Sequence, residues 1–421
     1  MTDMVPRCPG DSSIAFLSEG YLFGRRRFDR WNSDVFACRL GGRRTIVLRG
    51  QDAARWFYEE PRLSRVGAMP TSVVHSLQDE GSVQALSGAE HRARKSLFLR
   101  TFGHEGRLSL AERFSQHWDQ AAEAWNQGSI MLLDEVSAVL TRATLDWLGI
   151  AVTPDQEAER TRELQAMIDG AGSFGPRNWR GRTLRRRTEA WAAAVIEQRR
   201  ALGAASNGAP IDVIAGWEDA PGQPLPVDVA AVELLNALRP VVAIARFVVF
   251  AALALARWPE WRARVLTEPS ARAAFAAEVR RSAPFFPVVA GRPTEVLNWN
   301  GVRFTPRERV LLDLFATNRH PGEWPDADRF DPARFIGGDS ARRIVAQGGG
   351  DSARRIVAQG AGDMVDGHRC PGEPSTETIL ELAVTKLASG DWLFVEGMPS
   401  VDLRRIPADP GVRPVRVHWK G

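Results

Sequence analysis

Three features of this sequence have the residue types and spacing to do chemistry. The first is Cys370, which stands in Gly367-His-Arg-Cys-Pro-Gly-Glu373. A thiolate that ligates a metal needs positive neighbours and backbone N–H donors to hold its charge. His368, Arg369 and the positive N-terminal end of a helix expected to start near Glu373 supply them. The glycines let the chain approach a flat macrocycle closely. The same run also suits a structural cysteine buried in a glycine-rich turn, and the motif alone does not separate the two. Arg7-Cys8-Pro9-Gly10 copies the tetrapeptide. It lacks the glycine-rich approach and the apolar helix behind it, and lies near a chain end expected to be loose. It is read as coincidence.

The second feature is Glu278-Val-Arg-Arg281. Glu and Arg at i and i+3 share a helix face. Alone they make a common surface ion pair; with Arg334, from Trp324-Pro-Asp-Ala-Asp-Arg-Phe-Asp-Pro-Ala-Arg-Phe335, they are expected to form a buried structural cluster. The third is Arg239-Pro240 inside VELLNALRPVVAIARFVVF. A mid-helix proline removes a hydrogen bond and bends the axis, at a cost of roughly 3 kcal/mol. A guanidinium in so apolar a helix needs a partner.

These features must be positioned by a chain of 421 residues, 44% hydrophobic and 25% charged. No Pro/Gly/Ser linker divides it, so one large domain over 1–421 is expected, able to enclose a cofactor. The 55 Lys/Arg and 51 Asp/Glu leave a formal charge of only +4. Arg25 to Arg27 and Arg185 to Arg187 read as solvated helix faces. They lack aromatic interleaving and a binding motif, which argues against nucleic acid. Three cysteines are too few and odd for a disulfide scaffold, which points to a reducing, cytoplasmic setting. MTDMVPRCPGDSS shows no signal peptide. The apolar run Pro240 to Ala256 contains Arg246 and reads as a core helix, not a membrane span.

Periodicity predicts a hairpin over 35–48 around Gly41-Gly42 and helices over 51–60, 88–147 and 152–202, the last broken at Gly170-Ala-Gly and Gly175-Pro176. A loop over 204–226 leads to a long helix over about 227–256. Two short helices in 258–283, β-runs in 287–312, irregular chain over 318–370 and a helix over about 373–388 follow. DSARRIVAQG occurs at 339–348 and again at 351–360. This reads as a tandem duplication in a surface loop (337–363), which closure entropy tolerates.

The Glu278/Arg281 helix, the NRHPGEWPDADRFDPARF segment (318–335) and the GHRCPGE loop, in this order, resemble a cytochrome P-450. The resemblance implies a mainly α, triangular-prism fold with a small β region. It also implies haem b with Cys370 as the iron's axial ligand, and His368 and Arg369 within reach of the haem propionates. VQALSGAEHRARKSLFL (83–99) adds three positions: Gln84 matches one lining the distal pocket, and His91 and Lys95 match propionate contacts. An ordinary monooxygenase of this fold carries an acid/alcohol pair in the long helix, and none is found here. Arg239-Pro240 instead resembles the bacterial fatty-acid peroxygenases, as do LSEGYLFGRRRFDRWNSDVFACRLGGRRTIVLRG (17–50) and RNWRGRTLRRR (177–187). In that branch the arginine binds the substrate carboxylate; Glu233 or a propionate is the other partner open to Arg239.

The activity so implied is hydroxylation of fatty acids at the α or β carbon with hydrogen peroxide as co-substrate and no obligatory redox partner. Decarboxylation to a terminal alkene is the competing outcome. Gln84, in place of a histidine proton donor, tilts the reading to hydroxylation. An NAD(P)H/ferredoxin-dependent monooxygenase is the alternative that Arg-Pro disfavours. A non-catalytic haem or fatty-acid binding protein is the alternative of another class. Two departures stand out. Gln78 replaces an expected apolar pocket residue. The branch also has Gln eleven residues before its cysteine; Gln359 keeps that spacing, so the second repeat copy is in register and the first is an insertion.

Overall fold

A computed structural model of the chain describes residues 5–78, 81–125, 128–203, 208–336, 355–408 and 416–420. Its architecture is mainly α with small sheets, as the patterning predicts. Strands β1 (Arg7–Asp11), β2 (Val35–Leu40) and β3 (Arg43–Leu48) are interleaved with helices α1 (Ser13–Glu19), α2 (Leu22–Trp31) and α3 (Gln51–Glu59). The short β4 (Leu63–Ser64) and α4 (Thr71–Val73) follow. β2 and β3 pair antiparallel from Val35↔Leu48 to Leu40↔Arg43, around Gly41 and Gly42 at φ +60° and +73°. That turn needs left-handed backbone twice, which is why two glycines mark it.

The helical body begins with α5 (Gly88–Thr101), α6 (His104–Trp125), α7 (Leu132–Leu148), α8 (Pro154–Gly170) and α9 (Pro176–Leu202). The strand β5 (Ser129–Met131) interrupts what periodicity reads as continuous helix. It pairs with β13 (Arg416–Lys420), a partner too distant in sequence for a local pattern to reveal. The expected loop over 204–226 also holds structure: α10 (Pro210–Ala215) and a hairpin of β6 (Glu218–Ala220) and β7 (Gln223–Pro224). The long helix α11 (Val227–Arg257) follows, then α12 (Glu260–Thr267) and α13 (Pro269–Ser282). Next come β8 (Val288–Pro293), β9 (Leu297–Trp299), β10 (Val302–Phe304), β11 (Arg309–Asp313), α14 (Leu314–Thr317), α15 (Glu373–Ser389) and β12 (Asp391–Phe394).

The largest sheet has the order β1-β2-β3-β11-β8-β4. Its outermost strand corrects the reading of Cys8: the segment is no loose end, because β1 pairs parallel with β2 (Arg7↔Ala37). A sheet edge fixes it there, not any propensity of its own.

The helix α11 lies at the centre, packed against α7, α9 and α15. A helix apolar on all sides must be interior. Val227–Arg257 is long and apolar enough to cross a membrane, yet 94% of its most apolar window is buried within the protein. From Glu233 to Leu255 every residue is buried except Pro240, which is exposed. Arg246 meets the cost of burial by donating to the Ala408 carbonyl (2.7 Å) and pairing with Asp169 on α8.

Candidate active site

Cys370 sits just before α15, half-buried, on a loop held from several sides. Its backbone N–H donates to the Gln359 carbonyl at 2.9 Å, and the Gly372 N–H donates to its sulfur. Burial pushes the thiol up; that N–H and the nearby charges of Lys95 and Arg280 act the other way. Gln359 is fixed in turn: its Oε1 accepts from Arg280 Nε at 3.1 Å and Nη2 at 2.8 Å. Arg280 also pairs with Glu373 and Glu377.

Arg369, expected at a propionate, pairs with a protein carboxylate. Its guanidinium forks onto Glu373 at 2.6 and 3.1 Å, i to i+4 across the start of α15. A protein carboxylate so close satisfies it and ties the cysteine loop to the helix. His368 and the helix residues His91 and Lys95 are brought together. The His91 and His368 rings lie 3.8 Å apart between centroids, and Lys95 Nζ donates to the Arg369 carbonyl at 2.8 Å and to that of Gly367. Arg65, which the sequence reading missed, joins them. It stands over the Phe57 ring at 4.0 Å, and its charge acts on both histidines.

Burial pushes Arg65 down to about 10. Burial pushes Lys95 to about 8 against the pull of nearby acidic groups, and burial with the neighbouring cations pushes His91 to about 4 and His368 further still. No carboxylate among the described residues pairs with Arg65 or His91. So dense a set of basic groups beside a cysteine calls for an anionic ligand of its own. Among the described residues no group of three or more His, Cys, Asp or Glu can hold a bare metal ion. A lone thiolate donor with a basic rim fits a macrocycle that supplies the remaining metal ligands itself and carries carboxylates at its edge. The residues present therefore fit haem.

On α11, Arg239 is buried, and its Nη2 donates to Asn236 Oδ1 at 2.9 Å. Its Nη1 is buried without a hydrogen-bond partner. Burial and the charge of Arg185 push its guanidinium below the usual arginine range. Arg185 is itself a correction, since it is buried and paired with Glu189, whereas its Arg-rich surroundings read as a solvated face. Glu233 does not pair with Arg239. It takes Arg94 at 2.7 Å, Asn236 Nδ2 at 2.8 Å and the Val83 N–H at 2.9 Å. Gln84, next to Val83, is half-buried with its Oε1 unpartnered. Gln78's side chain and the first copy of the decapeptide lie outside the described residues.

The structural cluster is assembled on α13. Arg281 forks onto Glu278 at 2.6 and 2.7 Å, both fully buried, and Arg334 Nε reaches Glu278 at 3.3 Å. Arg281 also donates to the carbonyls of Asn318 (2.8 Å) and Ala327 (3.0 Å), so the pair pins the segment ahead of the cysteine loop.

A cysteine at the head of α15, the Glu278–Arg281 pair that pins the segment ahead of its loop and a buried core helix define a haem-thiolate protein. Solved structures of like sequence make this specific. Cytochrome P450SP alpha is 35% identical, with 98% of this chain and 100% of that chain covered at a TM-score of 0.90. Cytochrome P450EX alpha, solved with myristic acid, is 32% identical over 99% and 98% at 0.89. A single-residue variant of cytochrome P450 OleT, solved in complex with arachidonic acid, is 28% identical over 99% and 98% at 0.90. The chain belongs to the cytochrome P450 superfamily, in its bacterial fatty-acid peroxygenase branch.

No family model matches the chain. Among curated proteins, tabersonine 6,7-epoxidase isoform 2 of Catharanthus roseus is 37% identical over 62 residues, and isoform 1 is 36% identical over the same length. Each match spans 15% of this chain and only 12% of the relative's length.

Proposed function

We propose that this protein uses hydrogen peroxide to hydroxylate fatty acids at the α or β carbon, with decarboxylation to a terminal alkene as a second outcome. The observation that carries the reading is Arg239: a buried guanidinium with one free N–H edge, beside Pro240, the one exposed residue between Glu233 and Leu255. A carboxylate is the group that such an edge binds best.

Haem b, when bound, supplies the iron at which peroxide is cleaved and carbon oxidised. Cys370 would hold its iron through the sulfur, and Arg65, His91, Lys95 and His368 would hold its propionates. Arg239 Nη1 donates to the substrate carboxylate and so places the first carbons of the chain beyond the uncovered point at Pro240. α11 has no acid beside Arg239-Pro240, so the proton that peroxide cleavage needs is handled by the substrate's own carboxylate. Gln84, an amide with no titratable proton, cannot act as a histidine-like acid, which favours hydroxylation over decarboxylation. No obligatory redox partner is required in this scheme.

Incubating the haem-loaded enzyme with peroxide and a panel of fatty acids, with products identified by mass, tests the proposal. Hydroxy acids formed without any reductase support it. Turnover only with a ferredoxin and NAD(P)H would make it a monooxygenase. Lipid binding with no turnover under either condition would make it a carrier or sensor.

A further inference from the structure

We propose that Glu233 is the positioning residue that presents Arg239 to the substrate, acting through Asn236. This rests on the carboxylate-clamp reading above and deepens it. The three residues lie at i, i+3 and i+6 on α11, so their side chains follow one another along one face. Glu233 is wholly buried, and both its oxygens are committed. Oε1 accepts from the Val83 N–H and from Arg94 Nη1; Oε2 accepts from Asn236 Nδ2.

The hydrogen-bond inventory then fixes the rest. An ionised carboxylate only accepts, whereas an amide has one donating and one accepting end. Glu233 therefore draws the NH2 of Asn236 to itself and turns Oδ1 outward. That oxygen is the acceptor of Arg239 Nη2. Arg239 is thus oriented by a neutral dipole and never meets the Glu233 charge directly. A direct Glu233–Arg239 ion pair would leave little attraction for an incoming acid.

The charge of Glu233 is balanced on the other side. Arg94 pairs with it at 2.7 Å, and Asp219 of the β6–β7 hairpin pairs with Arg94, accepting from Nε at 3.0 Å. From the hairpin inward the signs alternate: Asp219, Arg94, Glu233, then Arg239. The series ends on a cation with a free N–H edge. The same carboxylate, through the Val83 N–H, fixes the turn that carries Gln84. One buried acid therefore sets both polar groups of the distal side.

The test is calorimetric titration of the haem-loaded protein with myristate and with 1-tetradecanol, which shares the tail and lacks the acid. In Glu233→Gln the new amide keeps its oxygen on the two donors Val83 N–H and Arg94 Nη1, so its NH2 meets Asn236 Nδ2, donor against donor. The Asn236 amide turns, and Arg239 loses its acceptor. Asn236→Ala removes the bridge while leaving Glu233 with Arg94 and Val83, so it decides the matter if Glu233→Gln fails to fold. Either variant is expected to weaken myristate binding about tenfold, the scale of one lost charge-assisted bond, with KM rising in proportion and tetradecanol unaffected. Wild-type myristate affinity in both variants, while Arg239→Ala loses it, overturns the relay and leaves the clamp intact. Equal losses for acid and alcohol also overturn it, since they indicate general loosening. Wild-type myristate affinity in Arg239→Ala overturns the clamp itself.

Discussion

Gln359 Oε1 accepts two hydrogen bonds from Arg280, at 2.8 and 3.1 Å, while its own backbone carbonyl accepts the N–H of Cys370. One residue thus couples α13 to the cysteine loop. Arg280 and its neighbour Arg281 divide the work: Arg280 serves Gln359 and α15, and Arg281 serves Glu278.

Truncating Gln359 to alanine is expected to leave part of a buried guanidinium unsatisfied and to lower stability by about 1–3 kcal/mol. Urea unfolding of the holoprotein checks this, and the thiolate-type carbonyl spectrum should decay faster on storage. A midpoint unchanged from wild type would show that the bond carries no weight.

Cys370→Ala is expected to abolish the thiolate-type carbonyl spectrum and peroxide-driven turnover together. Cys8→Ala should change neither, because Cys8 lies on the edge strand β1 of the large sheet. Carbonyl difference spectra of the two variants separate the tetrapeptides.

Arg239→Ala should retain haem yet lose turnover of fatty acids by at least about a hundredfold, the scale of an electrostatic group removed from a site. Arg239→Lys keeps the charge and loses the fork, and is expected to fall between. Peroxide-dependent rates at saturating myristate give the measurement.

Asp313 offers a pH prediction away from the site. It caps α14 by accepting the Ala316 N–H at 2.8 Å, and burial pushes its carboxyl up to about 7. The folded state therefore holds this proton more tightly than the unfolded chain does. The resulting stabilisation is full below the ordinary carboxylate range near 4 and is lost as pH rises through about 7. Asp313→Asn keeps the cap acceptor and removes the titration. It should flatten the pH dependence of the urea midpoint between pH 4 and 7, a span of order a few kcal/mol.

The parts of the site that were legible in the sequence are those announced by residue type. A cysteine among glycines, a Glu and Arg three apart, and an arginine beside a proline in an apolar helix each break a local expectation. The structure brings Glu278, Arg281 and Arg334 to one cluster, and His91, Lys95 and His368 to another beside Cys370. What stayed hidden depends on partners far along the chain. Arg65 sits in an ordinary polar stretch and gains meaning only beside His91 and His368. Arg369 pointed to a propionate by its position, and its pairing with Glu373 was not foreseen. The β6–β7 hairpin has no strand pattern and is tied down by Asp219 and Arg94. Arg185 shares its run with exposed arginines, and only the packing of α9 tells it apart.

The doubled decapeptide has a corollary in register. Gln359 and the Val357 N–H, which donates to Asn318 Oδ1 at 2.9 Å, anchor the second copy to the body of the protein. A twelve-residue excision of 339–350 would keep Gln359 eleven places before Cys370. By count, whole copies can be added or removed ahead of Gln359 without changing its spacing to Cys370, so of the identical glutamines Gln347 and Gln359 only the second keeps that register.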